Sequence, residues 1–374
     1  MAANKRTIYL TQNHRLEESL DTSANTFLFN AHGPIVGAHW ASKNIDLNAC
    51  GFVILDHKNA ILNLTEKSLL ERNYYIEKVD FGVDAECSYV NPFDLVHDTS
   101  EIHFMFLNFL HAMWDNADPD IAAMSNLIDA FASCLYFMFI NQRDKMNMRT
   151  LQKMVYSCRS KCNVGDEETI LTDAIFAGLD DQDSMPCKYY AQFKKAAGER
   201  YQEVAEKLAV MFDMFTERDF QMMDTTDWEL ADSMRFKTAV FVNVDNEAEE
   251  HSARLAIIML NYLVQQTQRR ERVMFILDSM NANYSFASLP YWMKEACNYQ
   301  MGFLLICDDV AKFASSVKTE RYFRRLRDAF CASVLTNVDD QKIETQHDFD
   351  LRGKGCVATV LVPSQNINER DVLF

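Results

Sequence analysis

Asn30-Ala31-His32-Gly33-Pro34-Ile35-Val36-Gly37-Ala38-His39-Trp40 (NAHGPIVGAHW, residues 30–40) separates two apolar runs, Thr26-Phe27-Leu28-Phe29 and Gly51-Phe52-Val53-Ile54-Leu55-Asp56. A strand, a loop with glycine and proline, then an amphipathic stretch is the opening of an α/β nucleotide-binding domain, where the first strand hands over to the first helix. A phosphate loop at that position follows G-x-x-x-x-G-K-[ST]: backbone N–H groups wrap the β-phosphate, the lysine reaches the β- and γ-phosphates, and the hydroxyl holds Mg²⁺. In this segment Asn30 stands at the first glycine, Val36 at the lysine and Gly37 at the hydroxyl, and Pro34 removes one N–H; only Gly33 remains. Charge-assisted hydrogen bonds contribute about 1.5–3 kcal/mol each, so losing the lysine and the metal ligand together weakens nucleotide binding by about a hundredfold or more.

Working outward, strands are predicted at Phe27–Phe29, Phe52–Asp56, Ile76–Phe81, Ala239–Val244, Val273–Asp278, Phe303–Cys307, Ala332–Leu335 and Val357–Val362. Several are continuous apolar runs, the pattern of parallel strands covered on both faces. From Glu101 to Phe215 no strand is predicted; Glu101–Trp114, Ile121–Asn141, Met148–Ser157, Glu167–Ala177 and Tyr189–Phe215 read as helices. Strands, then helices, then strands predict a discontinuous α/β domain (residues 1–100 and 216–374) interrupted by an inserted all-α domain (residues 101–215).

Composition narrows the function. The chain has 374 residues, few glycines (10) and prolines (6), and a net charge of −17, which repels a phosphate backbone; nucleic acid is not an expected partner. The dense basic stretch Lys318–Arg327 reads as a solvated helix face with Tyr322, Phe323 and Leu326 turned inward. Ten scattered cysteines, including Cys134, Cys307, Cys331 and Cys356 within apolar runs, read as buried thiols of a reducing compartment, and the protein is expected to be cytoplasmic. Cys158 and Cys162 lack a second ligand pair, and His97, His103 and His111 lack carboxylates at ligand spacing, so no metal is expected. Residues 1–10 lack the apolar core of a signal peptide, and Ile121–Ile140 carries Ser125, Asn126 and Asp129, the mark of a buried helix rather than a membrane span.

The run FILDSMNAN (residues 275–283) ends in Asp278, a residue type that can hold metal-bound water, but Ser279 stands where hydrolysis needs a second carboxylate. The simplest role of Asp278 is then to cap a helix or bind the loop after the strand.

In the order and spacing of its segments the chain resembles the TraG/TraD-type conjugative coupling ATPases of type IV secretion. LTQNHRLEESLDT (residues 10–22) is similar to that family's "LSxNxRLSxDT", and Asn44-Ile45 to its Asn-Leu pair. VILDHKNAIL (residues 53–62) follows "VxxDPKGE", with Asp56 and Lys58 matching and His57 in place of proline. YVNPFD (89–94), DPDIAAMSNLIDAFASCLYF (118–137), YYAQFKKAAGE (189–199) and residues 273–309 track further family segments. The departures are Val36, Gly37, Ser279, an arginine missing from residues 291–299, Asp308 in place of glutamine, and the family's amino-terminal membrane helices.

The resemblance implies a RecA-like P-loop fold with an inserted all-α domain, kept without its motor: a pseudo-ATPase. Its vestigial nucleotide positions are Gly33, Val36, Gly37, Lys58, Asp278 and Ser279, with no catalytic residue, and neither ATP nor Mg²⁺ is an expected cofactor. The expected role is a protein-binding scaffold for a coupling-protein paralogue, a relaxase or a secretion substrate, reaching a membrane only through such partners. The alternative is an NTPase whose missing charge comes from Lys58 or Lys43.

Overall fold

The computed structural model describes residues 7–10, 15–17, 25–29, 34–80, 91–93, 132, 146–225, 237–244, 249–267, 272–278, 289–296, 298–307, 325–326, 328–329, 332–336, 357–362 and 367–372. The chain forms two compact units, Met1–Cys87 with Glu229–Phe374, and Ser88–Trp228.

The first unit is built on a sheet of nine described strands. In chain order its elements are β1 (Thr7–Tyr9), β2 (Arg15–Glu17), β3 (Thr26–Phe29), α1 (Pro34–Leu47), β4 (Gly51–His57), α2 (Ala60–Glu71) and β5 (Tyr75–Asp80) before the second unit. The sheet runs β13-β12-β11-β3-β10-β9-β4-β8-β5, with β8 at Thr238–Val244, β9 at Val273–Leu277, β10 at Met301–Cys307, β11 at Ala332–Thr336, β12 at Val357–Val362 and β13 at Ile367–Val372. From β11 to β5 every neighbouring pair is parallel, while β12 and β13 run antiparallel at one edge.

Every residue of β8, β9 and β10 is buried, and so is β4 up to Asp56. That burial explains why these strands read as unbroken apolar runs. Phe275 and Phe303 sit opposite each other on β9 and β10 and stack with ring centroids 5.0 Å apart. On one side of the sheet α1 contributes Val36, Trp40, Ala41 and Ile45 to a core with Phe52, Ile54, Met274 and Ile306. Asn25, fully buried, accepts the Phe303 N–H and donates to the carbonyls of Met293 and Ala329, so the chain enters β3 already tied to β10.

The predicted strands recur with shifts of one or two residues at their ends. β1, β2 and β13 were not predicted: the first two are three residues long and β13 (INERDV) is mostly polar, so neither length nor alternation marked them.

The second unit corrects two readings. Residues 101–215 contain a strand pair, β6 (Lys161–Val164) and β7 (Glu167–Ile170), and the predicted helix Glu167–Ala177 is therefore a strand followed by α4 (Leu171–Ala177). The pair is joined by Gly165-Asp166, with Gly165 at φ +66°, the left-handed backbone that a two-residue hairpin turn demands. Its strands, KCNV and EETI, are largely exposed and polar, which hid them from a pattern search. The long helix predicted over Tyr189–Phe215 is two, α5 (Met185–Ala197) and α6 (Tyr201–Asp213), broken at Gly198, whose φ +52° and ψ −124° no helix contains.

α3 (Met148–Ser157) coincides with its prediction, its N-terminus capped by the Asn147 side chain accepting from the Thr150 N–H at 2.8 Å. α7 (Glu217–Asp224) opens with a reciprocal capping box between Thr216 and Asp219. The remaining described helices are α8 (Glu249–Thr267) and α9 (Leu289–Glu295), in the first unit.

The helices predicted at Glu101–Trp114 and Ile121–Asn141 lie outside the described residues, Ala132 excepted. Among the described residues no helix is long and apolar enough to cross a membrane. Of the basic stretch Lys318–Arg327, Leu326 is buried and Arg325 exposed.

Candidate functional site

The carboxyl ends of the parallel strands are where an open α/β sheet places its ligand site. Three of the predicted positions, Gly37, Lys58 and Asp278, stand around those ends; Gly33 and Ser279 lie outside the described residues.

α1 begins at Pro34, a residue whose nitrogen carries no hydrogen, so the first helical position presents no donor. Two residues in, Val36 is fully buried in the apolar core. The position matched to the phosphate-loop lysine therefore points into hydrocarbon, where an ammonium group would be strongly disfavoured.

Gly37 packs against the sheet. A Cβ at this residue would lie 2.7 Å from Cγ2 of Ile306 on β10 and 3.2 Å from Oδ1 of Asp278. Asp278 itself, just past the end of β9, is 2 % exposed, and its N–H donates to the Leu55 carbonyl at 3.1 Å. Residues 37 and 278 lie side by side, with no space between them for a Cβ.

Lys58 is exposed at the end of β4 and has φ +57°; its N–H donates to the Val244 carbonyl at 3.4 Å. The adjacent Asn59 also takes a left-handed backbone and donates its N–H to Oδ1 of Asn243, which in turn donates from Nδ2 to Asp80. Lys43 lies nine residues along α1 from Pro34, about 13 Å at the helical rise of about 1.5 Å per residue. That distance removes it as a substitute for the missing lysine.

Asp56 has a function its sequence match did not disclose. Fully buried at the end of β4, it accepts the N–H groups of Ile61 at 2.9 Å and Leu62 at 2.8 Å, one on each carboxylate oxygen, and so caps α2 from the strand that precedes it. Burial pushes its carboxyl up to about 6 although these backbone donors favour the charged form. The role follows from an Asp at a strand end followed by turn residues and an apolar helix, a signal that the match to a family segment obscured.

Asn44 on α1 and Asn48, one residue past its end, were not predicted as a pair. Both are buried, and both are spent on the backbone of β1. Neither Cys158 nor Cys162 joins a metal-binding cluster among the described residues; Cys158 is buried, and desolvation pushes its thiol up to about 12.

In the second unit the segment Tyr189–Glu199 has a structural explanation. The Tyr190 hydroxyl donates to Asp173 at 2.6 Å, Lys194 pairs with the same carboxylate at 2.9 Å, and the Tyr190 ring stacks on Phe176 at 4.0 Å.

A mostly parallel sheet with helices between its strands, interrupted along the chain by a second unit, is an α/β fold of the RecA-like P-loop class. Among solved structures it is similar to the plasmid coupling protein TrwB in complex with the GTP analogue GDPNP, with a TM-score of 0.60 at 11% identity, covering 94% of this chain and 85% of that one. TrwB in complex with ADP and Mg²⁺ gives 0.54 at 10% identity, covering 94% and 78%. VirB4 of Thermoanaerobacter pseudethanolicus gives 0.49 at 13% identity, covering 98% and 95%. The likeness to TrwB, a bacterial conjugative coupling protein, is one of fold. No protein-family model and no characterised protein matches the sequence.

Proposed function

We propose that the chain is a catalytically silent relative of the type IV secretion coupling ATPases that works as a protein-binding scaffold. The observation that carries this reading is the contact at Gly37. A metal-holding hydroxyl needs a Cβ, and a Cβ at residue 37 would be 2.7 Å from Ile306 and 3.2 Å from Asp278. Val36 in the core and Pro34 at the helix start remove two further parts of a phosphate cradle. The residues present do not fit a conventional Mg²⁺-nucleotide, and no hydrolytic step is assigned to them.

What remains is a scaffold with a net charge of −17, suited to basic protein surfaces such as those of a relaxase, a secreted substrate or an active coupling ATPase. Its place is the cytoplasm, at the membrane through those partners.

A thermal melt with and without millimolar Mg-ATP tests the reading. A ligand at about 100 times its Kd adds about 2.7 kcal/mol to stability, enough to move the midpoint by several degrees. No shift is expected. A shift that disappears in Lys58→Ala would instead establish a nucleotide pocket of unconventional design at the end of β4, and the scaffold reading would fall.

A further inference from the structure

β1 and β2 form a two-stranded sheet separate from the nine-stranded one. β2 pairs with one edge of β1; two side chains from the carboxyl-terminal end of α1 and the residue that follows it pair with the other. Oδ1 of Asn44 accepts the Tyr9 N–H at 2.8 Å and its Nδ2 donates to the Tyr9 carbonyl at 3.2 Å. Asn48 repeats the arrangement on Thr7, at 3.0 and 2.9 Å. The two asparagines thus supply the donors and acceptors that a neighbouring strand would supply. The register is geometric: four helical residues advance about 6 Å and two extended residues about 6.8 Å, so an i, i+4 pair meets alternate residues of a strand.

The amides are also oriented without β1. Nδ2 of Asn44 donates to the Trp40 carbonyl at 3.0 Å, and Nδ2 of Asn48, just past the helix end, to the Asn44 carbonyl at 2.8 Å, both onto the backbone of α1. Arg72 completes the helix end by donating to the carbonyls of Ile45 and Asn48. The segment is held by the backbone groups of residues 7 and 9 and by the side chains of Ile8, Tyr9 and Leu10, all buried in the core cluster that α1 shares. This is the chemistry by which sheet edges bind extended peptides, with main-chain bonds for affinity and an apolar pocket for choice, here provided by a helix.

We propose that the Asn44/Asn48 pair at the carboxyl-terminal end of α1 is a preorganised receptor for an extended segment, with the chain's own residues 7–10 as its ligand, and that the same segment of a second copy can occupy it by strand exchange. The proposal stands apart from the fate of the nucleotide site, since none of the four hydrogen bonds involves a residue of that site.

The test uses the full chain with a site-specific protease sequence inserted between Thr22 and Ser23, folded and then cleaved. A fluorescent peptide of residues 1–22 is expected to exchange into the cleaved protein with one-to-one stoichiometry. The peptide N-methylated at Tyr9, which cannot donate to Asn44, is expected to bind at least about tenfold more weakly, as is the parent peptide to the Asn48→Ala protein. A Thr7→Val peptide, with its backbone intact, should bind within about twofold of the parent, because the Thr7 side chain takes no part in the four bonds. Equal binding of the N-methylated peptide would overturn the proposal. So would a cleaved protein that never exchanges its segment, or one that aggregates when the segment leaves, because residues 7–10 would then be core rather than ligand.

Discussion

A Cβ at residue 37 would meet Cγ2 of Ile306, an atom one bond from that residue's own Cβ, and only rotation of a β-branched χ1 could move it aside. Two effects of Gly37→Ala therefore oppose each other. Alanine gains about 1 kcal/mol of helix propensity over glycine, while overpacking a filled core costs about 1–3 kcal/mol. Because the obstructing atom is stiff, the clash wins and the variant should be less stable in urea denaturation. Placing the same substitution in an Ile306→Ala background removes the tighter of the two contacts and leaves Asp278 Oδ1 at 3.2 Å, so there it should cost less by about 1 kcal/mol or more. An identical effect in both backgrounds would show that residue 37 has room, and would weaken the argument against a metal-holding hydroxyl. The sequence alone shows that 36 and 37 are Val and Gly. It does not show that the first points into the core and the second touches a strand far along the chain, because both facts depend on β10 and β9 being neighbours of β3 and β4.

At the level of elements, Asp56 shows how a strand end can govern the next helix. Its carboxyl is pushed up to about 6 from an ordinary 3.8 by burial. Between these values the folded chain holds a proton that the unfolded chain has released, so stability falls as pH rises from about 4 to about 6. The contribution is fully present below about 4 and lost above about 6; 2.2 pH units at about 1.36 kcal/mol each give about 3 kcal/mol. Urea denaturation of the wild-type chain and Asp56→Asn across pH 4 to 7.5 should show their difference in stability shrinking by about that amount; a pH-independent difference would assign the slope to other groups. The buried strands were legible in the sequence because a strand covered on both faces is apolar throughout. The β6–β7 hairpin and the break at Gly198 were not, since exposed polar strands carry no alternation and one glycine does not outweigh the helical periodicity on either side of it. Nor was the Asn44/Asn48 ladder: i, i+4 asparagines on a helix read as an ordinary polar face until β1 is found lying along them.

For the whole molecule, the fold shared with a conjugative coupling protein raises the question of whether this chain also handles DNA. Binding to a single strand is dominated by lysine and arginine contacts that release counterions, and each neutralised phosphate contributes about −0.7 to the slope of log K against log salt. With 37 basic residues against 54 acidic ones, such contacts require the positive charge to be gathered locally. Among the described residues several basic side chains are already engaged: Arg149 with Glu217 and Asp224, Arg159 with Glu206 and Asp213, Lys194 with Asp173, and Lys161 with Glu168. Fluorescence anisotropy of a labelled single-stranded oligonucleotide at low salt should therefore stay flat as the protein is added. A rise that disappears with salt at a slope of about −3 or steeper would reveal a basic track of four or more phosphate contacts, and would move the search for a partner from basic proteins to the transferred strand itself.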